Sequence, residues 1–228
     1  MIKNSLSVYS IKYGEITLPE SMVFDGSSSI KPIPISFAFY LIETEDKKIL
    51  VDAGCNAMPG FNMKKHYSPA FAIRTVGVTA DEITDVIITH AHHDHIEAVS
   101  CFKNAVIHIS EEEYINGEKY IPDNMMVSVF KDKYVIAPQI TVIKWGGHSV
   151  GSAIVEIKDN DVTHILAGDE CYVNANIENK ICTGTSCNKE KSLDFIKKYS
   201  NKKYSVHTCH DILLKTERII KNESNTCK

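Results

Sequence analysis

The stretch ITHAHHDHIEA (88–98) places His90, His92, His93, Asp94 and His95 in consecutive or alternate positions, directly after an apolar run. Burying several unpartnered imidazoles together costs about 1–3 kcal/mol each, and once protonated they would also repel one another. A bound cation removes both costs. Neutral imidazole nitrogens and carboxylate oxygens are donors that Zn²⁺ accepts and that Fe or Mn also tolerates. In an irregular loop at a strand end, alternate residues of the HxHxDH spacing can point apart. His90 and His92 then face one pocket while Asp94 and His95 turn to another. Two adjacent metal pockets follow. The competing reading, a solvated loop of idle histidines, does not account for four ligand-type residues in this order.

The elements that must position this loop are legible from periodicity. ISFAFYLIET (35–44) and KKILVDAG (47–54) are rich in β-branched and aromatic residues and are joined by a polar link, which reads as a hairpin. TADEITD carries a capping-box pattern, Thr79 with Glu82, so a helix feeds the strand DVIIT that delivers the histidines. AVIHI (105–109) is a strand, and SEEEYIN opens a helix with Ser110 and Glu113 as a second capping box. ITVIKW (140–145) and SAIVEIK (152–158) flank the turn GGHSVG, and VTHILAG (162–168) stops at Asp169. NKEKSLDFIKKYS spaces Leu193, Ile196 and Tyr199 at helical intervals, KYSVHT is a strand, and DILLKTERIIKN is expected to be a last amphipathic helix. Two strand-rich halves, each closed by helices, imply sheets packed face to face with helices outside.

Composition bounds the function. With 228 residues, 43% hydrophobic and 24% charged, the chain can bury a full core and is read as one domain over 1–228. A formal net charge of -4 argues against a polyphosphate partner, so no nucleic acid is expected. The N-terminal segment lacks an apolar signal core, and no apolar run reaches membrane-spanning length. Seven scattered cysteines (Cys55, Cys101, Cys171, Cys182, Cys187, Cys209, Cys227) suit reduced thiols in a cytoplasm, and CTGTSC (182–187), lacking a second pair, is a poor zinc site. Asp52, at the end of a strand in LVDAG, is expected either to orient a ligand imidazole or to form a turn. The spacing in VHTCHD leaves both His207 and His210 open as a further ligand. His66, His108 and His164 read as structural, and His93 as facing solvent or a supporting partner.

The motif THAHHDH, preceded by LVDAG and followed in order by GGHSVGS, AGDE and VHTCHD, resembles the metallo-β-lactamase fold superfamily of binuclear metallohydrolases. The resemblance runs from about Ser36 to about Ile220 and implies an α/β (α+β) fold, an αββα four-layer sandwich of two mixed sheets flanked by helices. It implies that His90, His92 and His148 hold one metal, that Asp94, His95 and His210 hold a second, and that Asp169 bridges both. It favours His210 over His207. Two divalent metal ions, most simply Zn²⁺, sharing a water would lower its pKa from 15.7 to roughly 7. The resulting metal-bridging hydroxide would attack an activated acyl bond, with Asp94 as a proton shuttle.

Within that superfamily, FAFYLIETEDKKILVDAG, CFKNAVIHISEEEY and GDECY are most similar to the N-acyl homoserine lactone lactonases. The likeness implies a lactone, ester or thioester small-molecule substrate and gives Tyr172 the task of hydrogen-bonding the substrate carbonyl or its oxyanion. Three departures bear on the substrate. Ile96, Glu97 and Ala98 follow the motif where the family has a small residue and paired glycines. The segment between Gly54 and Thr79 is shorter than in those lactonases, although FNMKKHYSPAF still offers Phe61, Met63, Tyr67 and Phe71 to a pocket or a partner. Glu170 replaces a small neutral residue and is expected to alter the charge of the cleft. A thioester hydrolase of glyoxalase II type is the alternative, but its basic, aromatic C-terminal region has no counterpart in this sequence. A phosphodiester hydrolase lacks its basic arm here, and a non-catalytic scaffold would lack a ligand.

Overall fold

The computed structural model describes residues 6–222. Twelve strands form two mixed sheets. They are β1 (Leu6–Pro19), β2 (Pro32–Glu43), β3 (Lys48–Val51), β4 (Asp85–Ile87), β5 (Val106–Ser110), β6 (Met126–Phe130), β7 (Lys133–Ala137), β8 (Ile140–Lys144), β9 (Ala153–Asp159), β10 (Val162–Leu166), β11 (Tyr204–His207) and β12 (Glu217–Asn222). The first sheet runs β12-β1-β2-β3-β4-β5-β6 and the second β11-β10-β9-β8-β7. Among the described residues six α-helices accompany them: α1 (Glu20–Val23), α2 (Pro69–Ala72), α3 (His93–Ile96), α4 (Glu111–Gly117), α5 (Asn174–Asn179) and α6 (Lys189–Tyr199).

Strand alternation dictates the layering. On β2, Phe37, Phe39 and Leu41 enter the core beneath α2 and α3, whereas Tyr40 and Ile42 face the second sheet. Adjacent strands split the same way, with Leu50 and Val86 on the helix side and Ile49, Val51 and Ile87 between the sheets. On the far sheet Val155 and Leu166 point inward, while Ile154 and Ile165 point outward against Phe195, Ile196 and Tyr199 of α6. Period-two apolar residues on both faces require cover on both faces, which gives four layers, helix, sheet, sheet, helix.

Three sequence expectations differ from this structure. The segment 211–222 is not an amphipathic helix: β12 pairs antiparallel with β1, and Ile220 is buried between the sheets while Leu213 is exposed. The free edge of β1 offers a row of ladder hydrogen bonds that outweighs a marginal helical pattern. On α6 the buried face carries Ser192, Phe195, Ile196 and Tyr199, and Leu193 faces solvent. The long strand β1 had no clear signal, because irregularities at Val8/Tyr9 and Lys12/Gly14 shift its register and break the alternation. The helix expected after Thr79 is a single 3₁₀ turn over Ala80–Glu82, capped as its sequence suggests by Glu82 accepting from the Thr79 N–H at 2.9 Å. Six described cysteines are free thiols, and Cys227 lies outside the described residues. Among the described residues no helix is long and apolar enough to cross a membrane.

Parallel pairing brings the chemistry to one edge. β3 pairs parallel with β4, and β10 with β11, so residues just past their C-terminal ends share a rim. The Ala153 N–H donates to the Thr89 carbonyl at 2.8 Å, a bond that crosses from one sheet to the other beside that rim.

Beneath it lies a buried ion pair. His108, read as structural, approaches Asp85 Oδ1 at 2.8 Å through Nε2 and stacks on Tyr134, and Lys47 Nζ reaches Asp85 Oδ2 at 2.9 Å. Burial pushes the Asp85 carboxyl up, but the hydrogen bonds from His108, Thr84 and Lys47 win and hold it at about 2. A depressed carboxylate contributes stability that is complete above its unfolded pKa of about 3.9 and is lost as pH falls toward the folded value. Replacing Asp85 with Asn should therefore cost about 2 kcal/mol in urea unfolding at pH 7. The gap between wild type and variant should narrow on going from pH 5 to pH 3, and a pH-independent gap would contradict the ion pair.

Candidate metal centre

The histidine loop leaves β4 through Ile88 and Thr89, and α3 begins at His93. His148 sits in the turn between β8 and β9, Asp169 just past β10, and His210 just past β11. These loops converge so that two groups of donor atoms form. In the first, His90 Nε2 and His148 Nε2 each lie 2.9 Å from His92 Nδ1. Asp169 Oδ2 completes it, 3.4 Å from His90 Nε2 and 3.3 Å from His148 Nε2. In the second, Asp169 Oδ1 lies 3.2 Å from His95 Nε2 and 3.0 Å from His210 Nε2. Asp94 Oδ2 stands 3.6 Å from both of those nitrogens. One carboxylate thus faces a different group with each oxygen.

Donor chemistry and burial fit cations in both places. The four atoms of each cluster, His90, His92, His148 and Asp169 in one and His95, Asp169, Cys209 and His210 in the other, lie within 4.8 Å of one another. His95 Nε2 is buried and lacks a hydrogen-bond partner, although it points into the second group. Such an orphaned nitrogen is costly unless something binds it. Burial pushes His90 well below its ordinary value and His148 down to about 4, so both imidazoles are neutral at pH 7 and keep a lone pair for a ligand. Burial would raise the Asp169 carboxyl, yet His95, His210, His90 and His148 around it hold it well below the usual range. Burial pushes the Cys209 thiol up to about 12, so it remains an S–H that donates to Asp169 Oδ1 at 3.4 Å.

The remaining nitrogens are held from behind. His95 Nδ1 lies 2.7 Å from Asp52 Oδ2, and His210 Nδ1 lies 2.8 Å from the Ser36 carbonyl, which directs each Nε2 at Asp169. Asp52 also accepts from the Thr89 N–H and hydroxyl at 2.8 and 2.9 Å, and its backbone takes a left-handed φ of 68°. It is both orienter and turn. His207 is not in either group: it pairs with His164 at 2.9 Å inside the second sheet. His93 turns away, with Nε2 2.9 Å from the Ala57 carbonyl, and anchors the segment after β3. His66 Nε2 rests 3.5 Å from the Cys55 carbonyl.

Glu170 does not alter the cleft. It is 1% exposed and turned behind the site, where Oε1 accepts from the Gly147 and His148 N–H groups at 3.0 and 3.1 Å and from the Ser152 hydroxyl at 2.6 Å. Its side chain is packed so closely that a Cβ at Gly147 would collide with its Oε2, which explains glycine there. Glu113 has a matching task. The Ser110 hydroxyl caps the Glu113 N–H at 3.4 Å, but the carboxylate does not close the capping box. It accepts instead from the Ala91 N–H at 2.8 Å, the Gly151 N–H at 2.9 Å and the Ser149 hydroxyl at 2.7 Å. The loop of His90 and His92 is thereby fastened to the turn of His148. The capping pattern marks Glu113 in SEEEY, but nothing there tells that its carboxylate turns to Ala91 and Gly151 rather than back to Ser110.

A cavity of about 280 Å³ opens over Asp94, Asp169 and His210. Tyr172 and Thr185 form part of its polar wall, and Ile16, Leu18, Met22, Ile35, Phe37, Met58 and Phe61 form the apolar one. Of the four residues expected from FNMKKHYSPAF, only Phe61 reaches it. Tyr67 and Phe71 stack on each other with about half their surface exposed, and Met63 packs against the core beside Gly14. The Tyr172 ring stands between His148 and His210, and burial raises its phenol well above the ordinary value, so it stays protonated.

Known proteins share this frame. The sequence profile of the Metallo-beta-lactamase superfamily matches residues 38–206. The chain belongs to that superfamily and is a metal-dependent hydrolase. It is 27% identical over 172 residues to the probable metallo-hydrolase of Methanocaldococcus jannaschii, covering 75% of each chain. It is 24% identical over 202 residues to an N-acyl homoserine lactonase of Bacillus thuringiensis, covering 76% of this chain and 79% of that one. An N-acyl homoserine lactone hydrolase solved with N-hexanoyl-L-homoserine at its catalytic metal centre superposes with a TM-score of 0.78 at 23% identity, covering 90% of this chain and 93% of the other. A dizinc quorum-quenching lactonase gives 0.75 at 17% identity, covering 91% and 88%.

Replacing Glu113 with Ala strands three donors at once, two of them backbone amides. Global stability should fall by about 3 kcal/mol. Hydrogen exchange should quicken first at the Ala91 and Gly151 amides, and unchanged protection at both would exclude the clasp.

Proposed function

We propose that the protein is a binuclear metallohydrolase that cleaves lactones and related acyl esters. The observation that carries this reading is the shared carboxylate: Asp169 Oδ2 closes a three-imidazole group, while Oδ1 faces His95 and His210. His90, His92 and His148 would hold one divalent cation, and Asp94, His95 and His210 the other, with Asp169 between them. Asp94 is favoured over Cys209 because burial keeps the thiol protonated, and a thiol binds a metal only as thiolate. Zinc suits this nitrogen and oxygen donor set, and a dizinc lactonase among the structural neighbours supports it.

Bound there, divalent cations would supply Lewis acidity and a water acidic enough to ionise near neutral pH. The chain's own residues do the rest. Tyr172, protonated and facing the cavity, donates its phenol hydrogen to the oxygen of the substrate that gains charge. Asp94, at the cavity floor, carries a proton to the departing oxygen. The apolar wall from Ile16 to Phe61 excludes water and accepts a hydrocarbon acyl group, in keeping with the acyl homoserine lactones of the curated relatives.

Elemental analysis of the purified protein together with rates on acyl lactones, thioesters, a cephalosporin and a phosphodiester tests the reading. Lactones should be turned over fastest and two metals per chain should be found. A phosphodiester preference would overturn the substrate class. Replacing Asp169 with Ala should remove most of one metal equivalent and nearly all turnover, because the carboxylate also sets the spacing of the two groups. Two metals retained in that variant would refute the bridge. Replacing Tyr172 with Phe should keep the metal content and lower lactone turnover about ten- to a thousandfold. Unaltered turnover would remove the phenol from the reaction.

A further inference from the structure

The segment CTGTSC contributes Thr185 to the cavity wall. Its polypeptide is pinned at both ends. The Gly184 N–H donates to the Met22 carbonyl at 3.1 Å, and a Cβ at Gly184 would run into the Ser21 carbonyl oxygen, so only glycine lets the loop lie this close to α1. At the other end the Cys187 N–H donates to the His148 carbonyl at 3.1 Å and the Asn188 N–H to the Gly147 carbonyl at 2.9 Å. Within the loop the Thr183 and Ser186 hydroxyls meet at 2.9 Å. The loop therefore spans the cavity from its apolar end, where Met22 lies, to the turn that carries His148. Thr185 is left facing inward, with its Oγ1 2.8 Å from the Tyr172 hydroxyl.

We infer that Thr185 is a positioning residue for the Tyr172 phenol, donating its hydroxyl hydrogen to the phenol oxygen so that the phenolic hydrogen is turned into the cavity. A hydroxyl pair can bond in either sense, since each has one hydrogen and two lone pairs. When Tyr172 donates to Thr185, its hydrogen is tied up and an acceptor in the cavity finds only lone pairs. When Thr185 donates, the phenol hydrogen is free for an acyl oxygen. A substrate that brings an acceptor and no donor to that point selects the second sense, and the chain of two hydrogen bonds then polarises the phenol. The ring itself is fixed between His148 and His210, so the threonine governs the direction of the hydrogen rather than the place of the ring.

This inference rests on the catalytic use of Tyr172 proposed above, and a double-mutant cycle separates the two. Thr185→Val keeps the shape and loses the hydroxyl, and Thr185→Ser restores it. Turnover and KM on an acyl lactone, with metal content as a control, would be measured for wild type, Thr185→Val, Thr185→Ser, Tyr172→Phe and the Tyr172→Phe/Thr185→Val pair. The expectation for Thr185→Val is a kcat lowered about three- to thirtyfold with KM within about twofold and metals unchanged, which is the worth of one hydrogen bond. Thr185→Ser should recover most of it. In the Tyr172→Phe background the valine should have no further effect, because the group it acts through is gone. Equal losses from valine with and without the phenol, or a loss seen in KM alone, would overturn the inference while leaving the role of Tyr172 intact. A Tyr172→Phe variant with full turnover would instead sink the earlier reading, and the inference with it.

Discussion

Asp169 sets a single carboxylate among four buried imidazoles, and the rest of the rim is arranged so that this arrangement is tolerable. An anion taken out of water is expensive unless it is surrounded by positive or hydrogen-bonding partners. Here His90 and His148 approach one oxygen and His95 and His210 the other, and the carboxyl is held ionised as a result. The imidazoles cannot all be protonated at ring separations as short as 4.1 Å, so burial leaves His90 and His148 neutral while the flanking carboxylates draw charge toward His95. On the reading proposed above, divalent cations would take the place of protons among these donor atoms.

The fold supplies the convergence without any loop having to travel far. Parallel pairing of β3 with β4 and of β10 with β11 lines up four strand ends, so Asp52, His90, Asp169 and His210 each need only a few residues to reach the rim. His148 is the exception, since it comes from the turn of an antiparallel pair. Its turn is correspondingly tied by side chains, with Glu170 accepting from two of its amides and Glu113 from a third. Two buried glutamates on different elements hold one irregular turn because a turn has no ladder of its own to satisfy its N–H groups.

Sequence reasoning reached the site further than it reached the frame. His90, His92, Asp94 and His95 advertise themselves by chemistry and spacing, the family resemblance adds His148, Asp169 and His210, and the structure brings all seven to the same rim. Strands rich in β-branched and aromatic residues and buried on both faces, such as β2, are equally plain. Where a bulge interrupts the period, as in β1, or where pairing with an unpredicted edge decides the outcome, as in β12, local pattern carries no information about the partner. Supporting residues are harder still. Glu113 is one of three consecutive glutamates, and Glu170 reads as cleft charge until its direction is seen. Whether a carboxylate faces a ligand or a backbone amide depends on side-chain direction, which a sequence does not encode locally.

The cavity has one polar wall and one apolar, dry wall. β1, β2 and the segment after β3 provide the apolar side, through Ile16, Leu18, Ile35, Phe37, Met58 and Phe61, while the polar side comes largely from loops that follow strands. Since β1 and β2 are continuous strands locked by a long antiparallel ladder, the dry wall is the rigid one. The segment after β3 is short and is held at the rim by His93 on the Ala57 carbonyl and by Glu97 on the Asn56 N–H. Changes there can reshape the cavity without moving a single ligand-type residue. On the function proposed above, selectivity and bond cleavage would therefore be separable: the carboxylate and its imidazoles would fix the reacting end, and a wall that shares no hydrogen bond with Asp169 the recognising end.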